Sequence, residues 1–188
     1  MKILTVTRYK PLELNIYNES DERIKFIKYA LKQRLTSFIE NGLEWVLTSG
    51  QMGIEMWAAE VVLDLKETYE IQLGIFPPFE NQETRWPEAL QHKYEELQLL
   101  ADHFQPLYKG DYRGAFRFKA KDKWFVEKSD ASLILMDQEY PGSTMYYHSV
   151  ALAHENHPIY YITPFDLEEA VEVIQMTDPD ATNDNFVE

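Results

Sequence analysis

Apolar positions along this chain switch repeatedly between short runs and a helical spacing of three and four. Ile3 to Val6 reads as a first strand, and Ile24, Ile27, Leu31, Leu35 and Phe38 then predict a helix over about Asp21 to Asn41. Gly42 closes that helix as a left-handed cap. Leu43 to Leu47 is a second strand, and Ile54, Trp57, Ala58, Val61, Val62 and Leu65 form one helical face. Ile71 to Phe76 is a third strand closed by Pro77 and Pro78, and Pro87 opens a helix whose buried stripe is Leu90, Tyr94, Leu97 and Ala101. Pro106 confines a strand at Phe104 to Tyr108 to a sheet edge. Phe116, Ala120 and Trp124 mark a helix, Ala131 to Met136 a central strand, and Pro141 to about His154 another helix. Ile159 to Ile162 and Leu167 to Ile174 complete the series with a strand and a helix. Such alternation predicts an α/β fold with a mostly parallel sheet covered by helices. Residues 1–176 are expected to form a single domain, and residues 177–188 an acidic, flexible tail.

The junction Thr48-Ser49-Gly50-Gln51-Met52-Gly53-Ile54-Glu55 stands out. A strand runs into two glycines three residues apart, and a helix starts behind them. In α/β domains that junction commonly holds phosphate or ribose. Gly50 allows a backbone conformation closed to other residues, and Gly53 lets a ligand approach the helix start. Glu55, in the first turn, either complements the helix dipole or accepts ribose hydroxyls. Trp57 is either a core residue or a base-stacking platform. A second loop, Asp137 followed by Gly142, Ser143 and Thr144, offers amides and hydroxyls at another helix start, or a simple helix cap. Thr7, Arg8 and Lys10 follow the first strand, where Arg8 is placed to clamp a phosphate. Phe79, Arg85 and Trp86 follow the third strand as an aromatic wall or lid, or as an anchor for the next helix.

Composition narrows the function classes. With 188 residues and 45% hydrophobic content the chain is long enough for a sizeable core. No apolar run reaches the length of a membrane span. The first residues read as a strand rather than a signal peptide. Cysteine is absent, which removes disulfides and thiolate metal sites and suits a cytoplasmic location. The histidines form no metal-ligand set, and neither a metal nor a bound cofactor is expected. Neither a serine nucleophile elbow nor a phosphate-loop lysine motif is present. A net charge of −14 opposes a large nucleic-acid footprint. Lys109, Arg113, Arg117, Lys119, Lys121, Lys123 and Lys128 nonetheless form a basic patch, suited to a small anion or an acidic protein partner.

The segments Tyr9-Lys10-Pro11-Leu12-Glu13-Leu14, Gly42-Leu43-Glu44-Trp45, Ser49 to Glu60 and Lys128-Ser129-Asp130 resemble the YpsA-like family of small cytoplasmic proteins from Gram-positive bacteria. The resemblance covers nearly the whole chain, and Arg8 departs from the small residue expected there. It implies a Rossmann-like three-layer αβα sandwich of the SLOG superfamily, which includes DprA and LOG-type proteins. It further implies a nucleotide or nucleotide-derived ligand at the glycine loop, lined by Ser49, Gly50, Gln51, Gly53 and Glu55. No enzymatic activity is attached to the family, and a link to cell division is suggested within it.

Three functions compete at this point. In the first, a sensor binds an ADP-ribose-like ligand through backbone donors at Gly50, Gly53, Gly142 and Ser143. Glu55 takes the ribose, Arg8 the phosphate and Trp57 or Trp86 the base, and the basic patch reports to a protein partner. The second is a LOG-like phosphoribohydrolase with Glu55 as its carboxylate, although the doubled-glycine motif of those enzymes is absent. The third is a DprA-like single-strand DNA binder, which the charge opposes. The sequence assigns no oligomeric state. Gly53 is expected to tolerate replacement by valine without loss of cooperative folding.

Overall fold

The computed structural model describes residues 1–7 and 9–177. Six strands form one sheet in the order β4-β3-β2-β1-β5-β6, and every neighbouring pair is parallel. They are β1 (Ile3–Thr7), β2 (Trp45–Thr48), β3 (Gln72–Ile75), β4 (His103–Phe104), β5 (Ala131–Leu135) and β6 (Ile159–Ile162). The helices between them are α1 (Arg23–Glu40), α2 (Ile54–Leu65), α3 (Glu88–Leu100), α4 (Phe116–Lys128), α5 (Thr144–Leu152) and α6 (Pro164–Thr177). The architecture is the expected Rossmann-like α/β fold. Residues 178–188, and with them the expected tail, lie outside the described residues.

Two cores flank the sheet because side chains alternate across each strand. Leu4 and Val6 of β1 join Val46, Leu73, Ile75, Leu133 and Leu135 against α1, α2, α3 and α6. Leu47, Ile134 and Met136 point the other way, onto Phe125 and Val126 of α4 and Tyr147 and Ala151 of α5. Central β1 is registered on both sides, with Leu4 opposite Val46 and Ala131. Asp130 fixes its start by accepting the Lys2 and Ile3 amides at 2.6 and 2.9 Å.

Gly42 caps the end of α1 at φ +93°, as expected. Edge strand β4 is shorter than its apolar run, since Pro106 has no amide to continue the ladder. Two short 3-10 helices, Pro11–Leu14 and Gln82–Arg85, have no periodic signal in the sequence. The basic patch is smaller than the sequence suggests. Arg117 and Lys121 are 5% and 3% exposed, leaving Lys109, Arg113, Lys119, Lys123 and Lys128 at the surface. Arg117 points inward because its guanidinium donates to the carbonyls of Lys109, Gly110 and Asp111 at 3.2, 3.2 and 2.7 Å. Lys121 pairs with Asp122 at 3.1 Å.

At the opposite end of β5 the Ser132 hydroxyl lies 2.7 Å from both the Tyr147 hydroxyl and His157 Nε2. Burial, followed by the proximity of His154, lowers the His157 pKa below its ordinary 6.5, against the pull of Asp130. A depressed histidine pKa stabilises the fold fully above the unfolded value, and that stabilisation is lost as pH falls through it. Urea denaturation between about pH 7.5 and 5 should therefore show a steeper loss for wild type than for His157→Gln. Equal slopes would mean that His157 is not held neutral in the fold.

Candidate functional site

β1, β2 and β5 all end at the same edge of the sheet. β1 sits between the other two, and the chain leaves β1 and β5 towards opposite faces. This is the switch point at which open α/β sheets form a ligand crevice. The two loops singled out from the sequence, the glycine loop after β2 and the Pro141 to Thr144 loop that follows β5 and Asp137, both border it.

Glu55 holds the first loop together. It is 3% exposed, and its carboxylate faces inward from the first turn of α2. Oε1 accepts from the Thr7 hydroxyl at 2.8 Å. Oε2 accepts from the Ser49 amide at 3.1 Å, the Gln51 amide at 3.3 Å, and the Ser49 and Thr48 hydroxyls. One buried charge thus joins the ends of β1 and β2 to the glycine loop and α2, and its donors offset the cost of burying it.

The glycines are required by the protein's own packing. Gly50 has φ +69°, and a Cβ there would lie 2.8 Å from the Tyr94 ring. Gly53 has φ +94°, and a Cβ would lie 2.6 Å from the Tyr9 carbonyl and 2.9 Å from Pro11. That carbonyl also accepts the Ile54 amide at 3.4 Å. The expected tolerance of Gly53 towards valine therefore fails, because a side chain would meet backbone that cannot swing aside.

Residues 9–13 cross the switch point as a strap between the loops after β2 and β5. Tyr9 is buried, and its hydroxyl accepts the Asp137 amide at 3.2 Å and donates to the Tyr140 carbonyl. Glu13 reaches the start of α5, where its carboxylate accepts the Ser143 amide at 2.6 Å and the Ser143 hydroxyl at 2.8 Å. It also takes the Lys10 amide at 2.9 Å. Burial pushes the Glu13 carboxyl up, but these bonds and the Lys10 charge outweigh it and hold the pKa below its ordinary 4.5. Gly142, at φ +52°, makes room for this contact, since a Cβ would lie 2.6 Å from Glu13 Oε1.

Other predicted residues divide between crevice and core. Thr7 and Thr144 are buried beneath the crevice, Ser49 is buried in the loop, and Gln51, Asp137 and Ser143 are half-buried at its margin. Trp57, by contrast, is 1% exposed within the core, and its indole nitrogen donates to Glu19 at 3.4 Å. Trp86 is buried edge-on against Tyr94. Neither ring leaves a face open to a base, which corrects both stacking expectations. Phe79 is buried, while Lys10 and Arg85 are exposed. Arg8 lies outside the described residues.

Comparisons with known proteins agree with this geometry. The YspA SLOG family model, YpsA, matches residues 4–167. The chain belongs to this family. Similar SLOG relatives include the UPF0398 protein OB1025 of Oceanobacillus iheyensis, 57% identical over 180 residues, covering 95% of this chain and 98% of that protein. A UPF0398 protein of Bacillus velezensis is 44% identical over 176 residues, covering 92% and 97% respectively. Among solved structures, DNA processing protein A of Streptococcus pneumoniae superposes with a TM-score of 0.58 at 14% identity. The match covers 93% of this chain but only 56% of that one. The Helicobacter pylori protein, whose single-stranded DNA binding mode has been described, gives 0.54 at 13% identity, covering 94% and 81%. At such identities the likeness is one of fold.

Three residues of this SLOG chain shape the crevice without having been singled out for it from the sequence: Tyr9, Glu13 and Gln82. Lys10-Pro11-Leu12-Glu13 has the spacing of a helix start with an acid three residues on, the one local hint of Glu13's position. Nothing local marks Tyr9, whose partners lie about 130 residues away.

Glu55→Gln places an amide nitrogen among donors, and Gly53→Ala forces a side chain into a left-handed position. In the absence of any ligand each should cost about 1–3 kcal/mol in urea denaturation. Unchanged stability in both would show that the loop does not depend on these contacts.

Proposed function

We propose that this SLOG protein binds a nucleotide or nucleotide-derived ligand at the switch-point crevice and acts as a sensor or regulator. The observation that carries the reading is Glu13. Its carboxylate rests on the Ser143 amide and hydroxyl at the start of α5, so this loop accepts an oxyanion, here supplied by the protein itself. A ligand phosphate would replace that carboxylate and release the strap, which couples occupancy to the shape of the surface. We assign Arg8 to the phosphate from its place in the sequence, and Gly142 and Ser143 to backbone donors, with Gly50 and Gln51, whose amides are held by Thr48 and Glu55, lining the crevice. The molecule named by the sequence reading is ADP-ribose-like. The output is a protein partner at the exposed part of the basic patch, with cell division the process suggested by the family resemblance.

Hydrolysis is less well supported, because the Glu55 carboxylate is committed to Thr7, Ser49 and Gln51. Kinship of fold with DNA processing protein A brings single-stranded DNA as a second ligand, against which the net charge of −14 weighs. A salt-sensitive gel shift would favour DNA.

A thermal-shift screen against nucleoside mono- and diphosphates, NAD and ADP-ribose tests the proposal. A ligand at about one hundred times its dissociation constant adds about 2.7 kcal/mol of stability and raises the midpoint. Glu13→Gln should strengthen the response by weakening the internal competitor, and Arg8→Gln should weaken it. A flat screen with wild type and Glu13→Gln alike would contradict the reading.

A further inference from the structure

α5 turns one face to the sheet and leaves the opposite face uncovered. Thr144, Tyr147 and Ala151 are buried on its inner side. Met145, Tyr146, Ser149, Leu152 and Ala153 are exposed, at the i, i+1, i+4, i+7, i+8 spacing of one helical face. Met145 is 49%, Tyr146 66% and Leu152 64% exposed. The Ser149 hydroxyl donates to the Met145 carbonyl at 2.8 Å and so needs no donor or acceptor from outside. Towards α4 the face opens into a groove of about 390 Å³ lined by Val126, Val150 and Ala153 and flanked by the exposed Lys123–Glu127 pair.

This surface is free of charge. From Pro141 to His154 the sequence has no Asp, Glu, Lys or Arg, although these make up 27% of a chain whose net charge is −14. The uncharged surface continues to the edge strand β6, where Tyr161 meets His148 of α5 at 2.7 Å. Leu99 on α3 is more exposed, at 86%, but the exposed acids Glu95 and Glu96 lie one turn before it.

We propose that two copies of this chain pair through α5, antiparallel, about a two-fold axis at Ser149. The face is complementary to itself. In an antiparallel pair centred on Ser149, residues at equal distances before and after it meet. Met145 then faces Ala153 of the second copy and enters the groove beside it, and Tyr146 faces Leu152 of the second copy. Ser149 is small enough to let the two helices approach at the axis. Charge points the same way, since two chains of net charge −14 repel each other except where they meet through a surface without acids. A contact one short helix wide belongs with the small interfaces, below about 1,200 Å² in total, so a dissociation constant of about 1–100 µM is expected. The pairing is independent of any nucleotide at the crevice.

Sedimentation velocity of the full chain from about 1 µM to about 1 mM tests it. The sedimenting species should shift from one chain of 22.2 kDa to twice that mass. Leu152→Glu sets a carboxylate against Tyr146 of the second copy. It should leave a monomer throughout, with the unfolding midpoint of a dilute sample unchanged. The chain has no cysteine, so Ser149→Cys supplies a single thiol at the axis. Helix axes about 8–10 Å apart bring two such residues within disulfide reach. Mild oxidation should link Ser149→Cys, but not Leu99→Cys, into a covalent dimer. A wild type that stays monomeric up to about 1 mM would overturn the proposal. So would a dimer that survives Leu152→Glu, or one that Ser149→Cys fails to link.

Discussion

The buried carboxylate of Glu55 is the constraint on which the switch-point edge of this protein depends. Four pieces of chain meet there: the end of β1 through Thr7, the end of β2 through Thr48 and Ser49, the loop through Gln51, and α2, which carries Glu55 itself. A charge 3% exposed is tolerated only because so many donors converge on it. In return it fixes the loop's path so closely that glycine is needed at positions 50 and 53. The motif that reads in sequence as a ligand loop is thus first a folding device, which turns a strand end into a helix start at a defined place.

A second acid, Glu13, carries the function proposed for that edge. It is exposed where Glu55 is buried, and it holds the α5 start through a few hydrogen bonds that a competing anion can replicate. Its lowered pKa means that the contact is made by the ionised form. Because the same strap also places the Tyr9 carbonyl on the α2 start and the Tyr9 hydroxyl on the β5–α5 loop, displacement of Glu13 would loosen a connected piece of backbone. Two neighbouring acids at one crevice therefore do different work: one is too well satisfied to leave its place, the other is held by replaceable bonds.

Much of the fold was legible from periodicity, because long apolar stripes such as Ile24 to Leu35 report burial directly. The two glycine loops and their common edge followed from the strand–helix alternation. What escaped the sequence depends on contacts distant along the chain. Trp57 sits on the apolar face predicted for its helix and is core as that face implies, whereas Trp86 carries no local sign of which way it faces, and packing buries it. Arg117 and Lys121 share a charged stretch with exposed neighbours, yet turn inward to carbonyls and to Asp122. Gly53 looked like a space for ligand, whereas the space is filled by Tyr9 and Pro11 from a loop some forty residues earlier.

The central claim is that a nucleotide enters the crevice where Glu13 now meets Ser143. Amide chemical-shift mapping of the isotope-labelled protein with ADP-ribose tests it most directly. The account predicts the largest changes at Gly50, Gln51, Gly142 and Ser143, with Lys10 and Glu13 moving as the strap is released. Perturbations confined to other surfaces, or none at saturating nucleotide, would contradict it.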